Sequence, residues 1–387
     1  MTASDTPSLP MSEMAEDPST TPVDLLVVGA GPCGIAVGAA ARKAGLSCLL
    51  VDRGPLCASL VRYPYDMRFF STPEKLELER LPFVTTDKTP SRKEALTYYR
   101  KVAEHFELRT RLYEEVRAID GVQGDFRVRT VRRLRVPGAP GDLGEDTRRG
   151  ARAPGSGADA GESDPPDSLR VDARETILRA RNLVIATGGF HGPNLLKVPG
   201  EDLPKVTHHY TEAHPYWECD VVVVGGSNSA VESSLELFRA GARVTLVHFG
   251  EDFDRSVKPW VLPDIQNRVE AGEVTGRFRT RVARIEEDAV VLRSEMDGSE
   301  ERIANDFVLA LTGWKADPVL LEAVGVGVDP ETGIPAHDPE TMETEVPGVY
   351  IAGVLSAGHD ANRIFIENGR WHGRAIVGAV TGAAPPE

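Results

Sequence analysis

Apolar and polar residues follow a repeated theme along this chain: a short apolar run, a glycine-rich turn, then small and apolar residues at helical spacing. Val23 to Val28 predicts a strand, Gly29-Ala30-Gly31-Pro32-Cys33-Gly34 a tight turn, and the Ala-rich stretch to Ala44 a helix. Ser47-Cys48-Leu49-Leu50-Val51 predicts the second strand of that unit, ending at Asp52. The theme returns at Val221-Val222-Val223-Val224, Gly225-Gly226-Ser227-Asn228-Ser229, a helix from Val231 to Ala240 and a strand from Ala242 to Val247.

Between the two units, Arg62 to Thr72 is an irregular aromatic loop. It reads equally as a wall beside a cofactor ring or as a satellite hydrophobic cluster. Ser91 to Phe106 predicts a helix, with Ser91 as N-cap and Glu94 completing a capping box. The alternating runs at Phe126 to Arg135 and Leu169 to Val184 predict antiparallel strands. The stretch Pro137 to Asp167 is dense in Gly, Pro, Asp, Arg and Ser, and reads as a flexible hairpin insertion. Leu183 to Gly189 and Gly348 to Gly353 each predict a strand entering a glycine turn, Ile303 to Leu311 predicts a strand, and a small-residue helix ends the chain.

These elements predict an α/β fold of two Rossmann-like dinucleotide-binding domains, the second inserted into the first, with a small antiparallel β-meander. Residues 22–205 and 315–387 form the first domain, 206–314 the second, and 1–21 a disordered tail. Insertion requires two linkers, a natural hinge.

A glycine turn between strand and helix lets the backbone approach a pyrophosphate, and the helix N-terminus offers it free N–H groups and a positive dipole end. In the first unit Asp52 follows the turn by about 20 residues, where an acid accepts hydrogen bonds from a ribose 2′-hydroxyl. That suits FAD; the competing reading is the NAD site of a simple dehydrogenase, and the N-terminal position favours FAD. In the second unit the strand runs into His248 and Phe249 with no carboxylate, which permits NADPH. His248 and Lys258 are candidate contacts to its 2′-phosphate. The lack of an arginine at the strand end weakens the preference over NADH. Ser227 replaces the second glycine of the fingerprint and offers a hydroxyl to the pyrophosphate; a unit that has lost its ligand is the competing reading.

A net charge of −15 argues against nucleic acid and anionic membrane as partners. No apolar stretch approaches the ~20 residues that span a bilayer. The first 21 residues have neither a basic start nor an apolar segment, unlike a signal peptide. Cys33, Cys48, Cys57 and Cys219 contain no Cys-x-x-Cys, which excludes the usual zinc spacing and the dithiol of ordinary disulfide reductases. A cytoplasmic protein with reduced thiols and no metal site is expected.

The order of first glycine turn, Ala186-Thr187-Gly188, second glycine turn and terminal Ala352-Gly353 resembles the two-dinucleotide flavoproteins that include thioredoxin reductases. Four segments narrow the resemblance to the bacillithiol-disulfide reductase family: Gly31-Pro32-Cys33-Gly34, Arg62 to Thr72, Val257 to Ile265, and Ile364 to Gly373. The resemblance implies an FAD enzyme that uses NADPH to reduce bacillithiol disulfide, a small-molecule substrate, and a homo-oligomer, dimer or tetramer. It also implies site residues. Gly29, Gly31, Pro32 and Gly34 would cradle the FAD pyrophosphate, and Asp52 with Arg53 would hold its ribose end. Thr187 and Gly188 would lie against FAD, with Gly353 and Ile366 toward the flavin. Gly225, Gly226, Ser227, Asn228 and Ser229 would take the NADPH pyrophosphate. Two departures stand out: Val354 follows Gly353 where thioredoxin reductases place an acid, and Phe249 stands where the narrower family often has arginine.

Cys33 is the candidate catalytic residue. At the first turn of a helix the dipole lowers a thiol pKa, which suits a nucleophile forming a mixed disulfide. The alternative is a small side chain fitting a tight cofactor loop. Other acceptors (ferredoxin, a quinone), a flavin monooxygenase, or a nucleotide-holding redox sensor are the competing functions.

Overall fold

The structure, a computed structural model, describes residues 21–132, 175–190, 192–360 and 363–383. The tail expected at 1–21, apart from Thr21, and the insertion expected at 137–167 lie outside the described residues.

The first unit runs β1 (Val23–Val28), α1 (Pro32–Lys43), β2 (Cys48–Asp52), with short helices α2 (Ala58–Val61) and α3 (Pro73–Leu76) in the aromatic loop region. Then come α4 (Arg92–His105), β3 (Arg109–Leu112), β4 (Glu114–Val122), β5 (Asp125–Arg132) and the long β6 (Glu175–Ile185). The chain crosses through β7 (Gly192–Pro193) and β8 (Val206–Thr207) into the second unit: β9 (Asp220–Val224), α5 (Asn228–Arg239), β10 (Arg243–Val247), α6 (Leu262–Glu270) and β11 (Thr275–Arg277). It continues through β12 (Thr280–Ile285), β13 (Ala289–Ser294), β14 (Glu300–Ala304) and β15 (Phe307–Ala310). It returns by β16 (Trp314–Lys315), α7 (Val319–Ala323), β17 (Val349–Ile351), α8 (Ile366–Gly369) and α9 (His372–Thr381).

The first sheet has the order β3-β2-β1-β6-β5-β4. β6 changes character along its length. Its first half pairs antiparallel with β5, the alternating pattern read from the sequence, while Leu183–Ile185 pair parallel with both β1 and β17. The buried half is a continuous apolar run, as a strand covered on both faces requires. The second sheet, β11-β10-β9-β15-β8, is parallel throughout, and β12-β13-β14 forms a separate antiparallel meander.

The strand expected from Ile303 to Leu311 is two strands. The break falls at Asn305-Asp306, whose N–H groups donate to the carbonyls of Asp288 (3.1 Å) and Asp220 (2.8 Å). Asn305 is buried, and its amide donates to the Phe307 carbonyl at 2.9 Å. A polar corner thus carries the chain from the meander into the parallel sheet.

Helix α1 is held between the first sheet and α9. Gly38 permits this approach: a Cβ there would stand 2.9 Å from Leu50 Cδ1. Helix α4 stops at its N-terminus as predicted: the Ser91 hydroxyl accepts from the Glu94 N–H and the Glu94 carboxylate accepts from the Ser91 N–H. The Thr85 hydroxyl, foremost, and then Ser91 hold the Glu94 carboxyl down to about 2. A carboxyl lowered in the folded state stabilises above its unfolded value, and that contribution disappears as pH falls through the folded one. Ser91→Ala should therefore lower stability by about 1 kcal/mol at pH 7. In urea melts, its deficit relative to the parent should shrink as pH falls below about 4.

Candidate functional site

The parallel register of β1, β6 and β17 brings three glycine turns to one edge. Val28 pairs with Ile185 and Ile185 with Ile351, so Gly29, Thr187-Gly188 and Gly353 leave the sheet side by side. The Ala186 N–H donates to the Val28 carbonyl at 2.8 Å, and the Ala352 N–H to the Ile185 carbonyl at 3.0 Å. This is the carboxyl edge of a parallel sheet, where α/β folds bind ligands.

Each glycine of the first turn has its own reason. Gly29 has φ +115°, and a Cβ there would stand 2.3 Å from the Ala186 carbonyl oxygen. A Cβ on Gly34 would stand 2.0 Å from the Gly29 carbonyl oxygen. A Cβ on Gly31 would project into open space at the start of α1 and fill the cradle that a phosphate needs. Pro32 occupies the first turn of α1, and no side chain caps the helix. Gly188, at φ +74°, likewise faces open space. These features fit a bound pyrophosphate.

Asp52 closes the other side. Its two oxygens accept from the Ala30 N–H (2.7 Å) and the Gly54 N–H (2.8 Å). Burial raises its pKa, and those two hydrogen bonds and the nearby Arg53 oppose the rise. A carboxylate has about four acceptor positions, so a ribose hydroxyl can still be accommodated. Arg53 is exposed immediately beyond it.

Cys33 departs from the expected electrostatics. Burial pushes its thiol up to about 12, where a helix terminus alone would have lowered it. Its Sγ lies 3.0 Å from where a Cβ on Gly353 would stand and 2.9 Å from one on Gly369. The thiol therefore fills a gap between α1, the Gly353 turn and α8, the short helix that Ile366 opens. The Gly353 N–H donates to His372 Nδ1 at 3.1 Å, and burial pushes that imidazole down to about 4, which keeps it a neutral acceptor at pH 7.

In the second turn, Gly225 (φ +147°) approaches the Leu311 carbonyl, where a Cβ would stand 2.5 Å from its oxygen. Gly226 gives room to the His248 ring, 2.4 Å from where its Cβ would be. Helix α5 also starts without a side-chain cap. The Ser227 hydroxyl bonds the Ser256 hydroxyl at 2.9 Å. The Asn228 amide donates to the Ser256 carbonyl and its oxygen accepts from the Lys258 N–H, each at 2.9 Å. Ser229 is exposed. Sequence reasoning missed this stapling of loop 254–258 to the turn, because its partners lie some thirty residues apart.

Of the two candidate contacts to the 2′-phosphate, His248 is buried and Lys258 is turned to an aromatic ring. His248 is 6 % exposed; burial foremost lowers its pKa, the Asp254 charge opposes the shift and the Arg281 charge adds to it. Lys258 Nζ lies 5.0 Å over the Phe70 ring, whose edge meets Trp260 with ring centroids 5.9 Å apart. The aromatic loop also sends Tyr63 against Phe190, which stacks on Trp314 at 4.2 Å.

Two glycine turns, each at the carboxyl ends of parallel strands in its own sheet, are the arrangement of a protein that binds two dinucleotides. The profile of the pyridine nucleotide-disulphide oxidoreductase family matches residues 26–134 and 164–353. The bacilliredoxin reductase Bdr of Bacillus subtilis is 38 % identical over 92 % of this chain and 96 % of its own. The solved bacillithiol disulfide reductase Bdr (YpdA) of Bacillus cereus is 35 % identical, with a TM-score of 0.81 over 94 % of this chain and 99 % of its own. Lactococcus lactis thioredoxin reductase, 16 % identical with a TM-score of 0.66 over 93 % of this chain and 98 % of its own, shares the fold. The chain belongs to the pyridine nucleotide-disulphide oxidoreductase family and, within it, to the group of the Bdr reductases. It is an oxidoreductase of flavin and pyridine-nucleotide chemistry, and among the described residues no helix is long and apolar enough to cross a membrane.

Gly34→Ala forces a Cβ onto the Gly29 carbonyl. The purified variant should carry little or none of the flavin, read by its yellow absorbance, that the parent is expected to bind. Full flavin content in that variant would refute the cradle.

Proposed function

We propose that the chain is an FAD-dependent reductase that takes electrons from NADPH and delivers them to a low-molecular-weight disulfide, bacillithiol disulfide. The supporting observation is the likeness to the Bacillus cereus bacillithiol disulfide reductase along nearly the whole of both chains. The reaction is NADPH + H⁺ + RSSR → NADP⁺ + 2 RSH, and bound flavin supplies the two-electron chemistry. A cytoplasmic homo-oligomer belongs to the same reading.

The first turn, with Pro32 and the start of α1, holds the FAD pyrophosphate. Asp52 and Arg53 face the adenosine ribose. Thr187, Gly188, Gly353 and Ile366 line the path toward the flavin. His372 fixes the Gly353 turn from behind through a hydrogen bond that needs the neutral ring. Gly225 to Ser229 receive the NADPH pyrophosphate on the N-terminus of α5. Cys33 packs these turns together, and the burial that raises its thiol pKa favours a route for the electron pair that needs no Cys33 thiolate.

The test is anaerobic mixing of the yellow protein with NADPH, followed by bacillithiol disulfide, ferredoxin, a quinone or oxygen. Bleaching by NADPH and reoxidation by the disulfide alone supports the reading. Reoxidation by any other acceptor in preference, or no bleaching, overturns it. The Bacillus subtilis relative supports a second acceptor, a bacilliredoxin, tested in the same assay. Cys33→Ala should keep its flavin and turn over disulfide at a rate of the same order as the parent. Loss of a nucleophile would cost several orders of magnitude instead.

A further inference from the structure

We propose that this chain reads the 2′-phosphate of NADPH with Arg281 and Arg255, which come from a neighbouring strand and a loop, in place of an arginine at the end of β10. The inference rests on a pyridine nucleotide occupying the second glycine turn.

The backbone delivers Arg281 to that strand end. The His248 N–H donates to the Arg277 carbonyl (2.9 Å), the Thr280 N–H to the His248 carbonyl (3.0 Å) and the Arg279 N–H to the Gly250 carbonyl (2.7 Å). These three bonds lay the start of β12 along the end of β10. The Arg281 guanidinium then stacks on Phe249, with its central carbon 4.5 Å from the ring centroid. Glu295 holds its Nε at 3.3 Å, and the side chain is half exposed. An aromatic platform orients the planar guanidinium and leaves its edge free for a phosphate. Phe249 thus has a use: it replaces a charge with a shelf for a charge from another strand.

Arg255 is placed by the staples of its own loop. On one side the Asp254 N–H donates to the Gly226 carbonyl at 2.9 Å. On the other, Ser256 bonds Ser227 and accepts from Asn228, each at 2.9 Å. Arg255 between them is exposed and forms no ion pair among the described residues. Of the acids in the same loop, Glu251 pairs with Arg279 at 2.5 Å and the Asp252 carboxylate accepts from the Phe253 N–H at 2.7 Å, while the Asp254 charge acts on His248. His248, buried between Gly226 and Gly250, keeps an Nδ1 without a hydrogen-bond partner on the face of the turn. Two arginines, one stacked at the end of β10 and one on the loop stapled to the turn, are thus carried on the segments beside the place where NADPH has a phosphate and NADH a hydroxyl.

Calorimetric titration of the flavin-loaded protein with NADP⁺ and NAD⁺ tests this without turnover. The parent should bind NADP⁺ about a hundredfold more tightly, two charge-assisted hydrogen bonds each worth about tenfold. Arg281→Ala and Arg255→Ala should each weaken NADP⁺ by about tenfold and leave NAD⁺ and flavin content unchanged, and the double variant should erase the preference. Equal binding of the two nucleotides by the parent overturns the proposal. So does equal loss for both nucleotides in the variants, and an unchanged ratio in either single variant removes that arginine from it. A parent that binds neither nucleotide instead refutes the reading of the second turn.

Discussion

The flavin end of the molecule depends on the parallel register that joins β1, β6 and β17. A strand advances about 3.3 Å per residue, so a slip of one position would carry a turn out of line and reverse the faces of its side chains. The register holds because the paired residues are fully buried: Val27, Val184 and Ile351 are among the residues with no exposed surface, or nearly none. From that alignment follow the contacts of Gly29 with Ala186 and of Cys33 with Gly353, elements distant in sequence that meet at one edge.

The chain carries a net charge of −15, yet it has to hold anionic nucleotides. The answer is local. Helix α4 satisfies its own N-terminus with Ser91 and Glu94, whereas α1 and α5 start without a side-chain cap. At α1 the residue in the capping position is Gly31, which has no side chain to offer. At α5 it is Ser227, whose hydroxyl turns to Ser256 instead of to its own helix. Both helices therefore leave N–H groups and the positive dipole end for a ligand. The global field repels anions, but within a few ångströms the oriented amides dominate.

What was legible in the sequence was local. The capping box of α4, Pro32 at the start of α1 and both strand–turn–helix units follow from residues within a turn of one another. The family resemblance and the absence of a dithiol were also plain. What the sequence hid depends on distant partners. The Cys33 thiol follows a local rule at a helix terminus, but Gly353 and Gly369, more than three hundred residues later, enclose it and reverse the sign of its shift. Lys258 sits in a promising segment, yet Phe70 from the other unit takes its ammonium. Nothing in the neighbourhood of His248 announces that Gly226 and Gly250 leave room to bury its ring.

The two crossings between the sheets add a final constraint. They pair through β7 and β16, two residues each, and Asn194 adds bonds to Gly313 at 3.0 Å and to the Thr312 carbonyl at 3.2 Å. Side chains complete the seam: Tyr63 packs on Phe190, Phe190 stacks on Trp314, and Trp314 lies 4.6 Å from the His209 ring. Burial foremost, and then Arg62, push His209 down to about 4, so the seam is uncharged at neutral pH. Aromatic faces attract over a range of offsets and carry no strong directional bond. A seam of that kind, with the Asn194 bonds beside it, resists separation of the two crossings. An enzyme whose two nucleotides sit on separate sheets needs that, because the reacting rings must be held together.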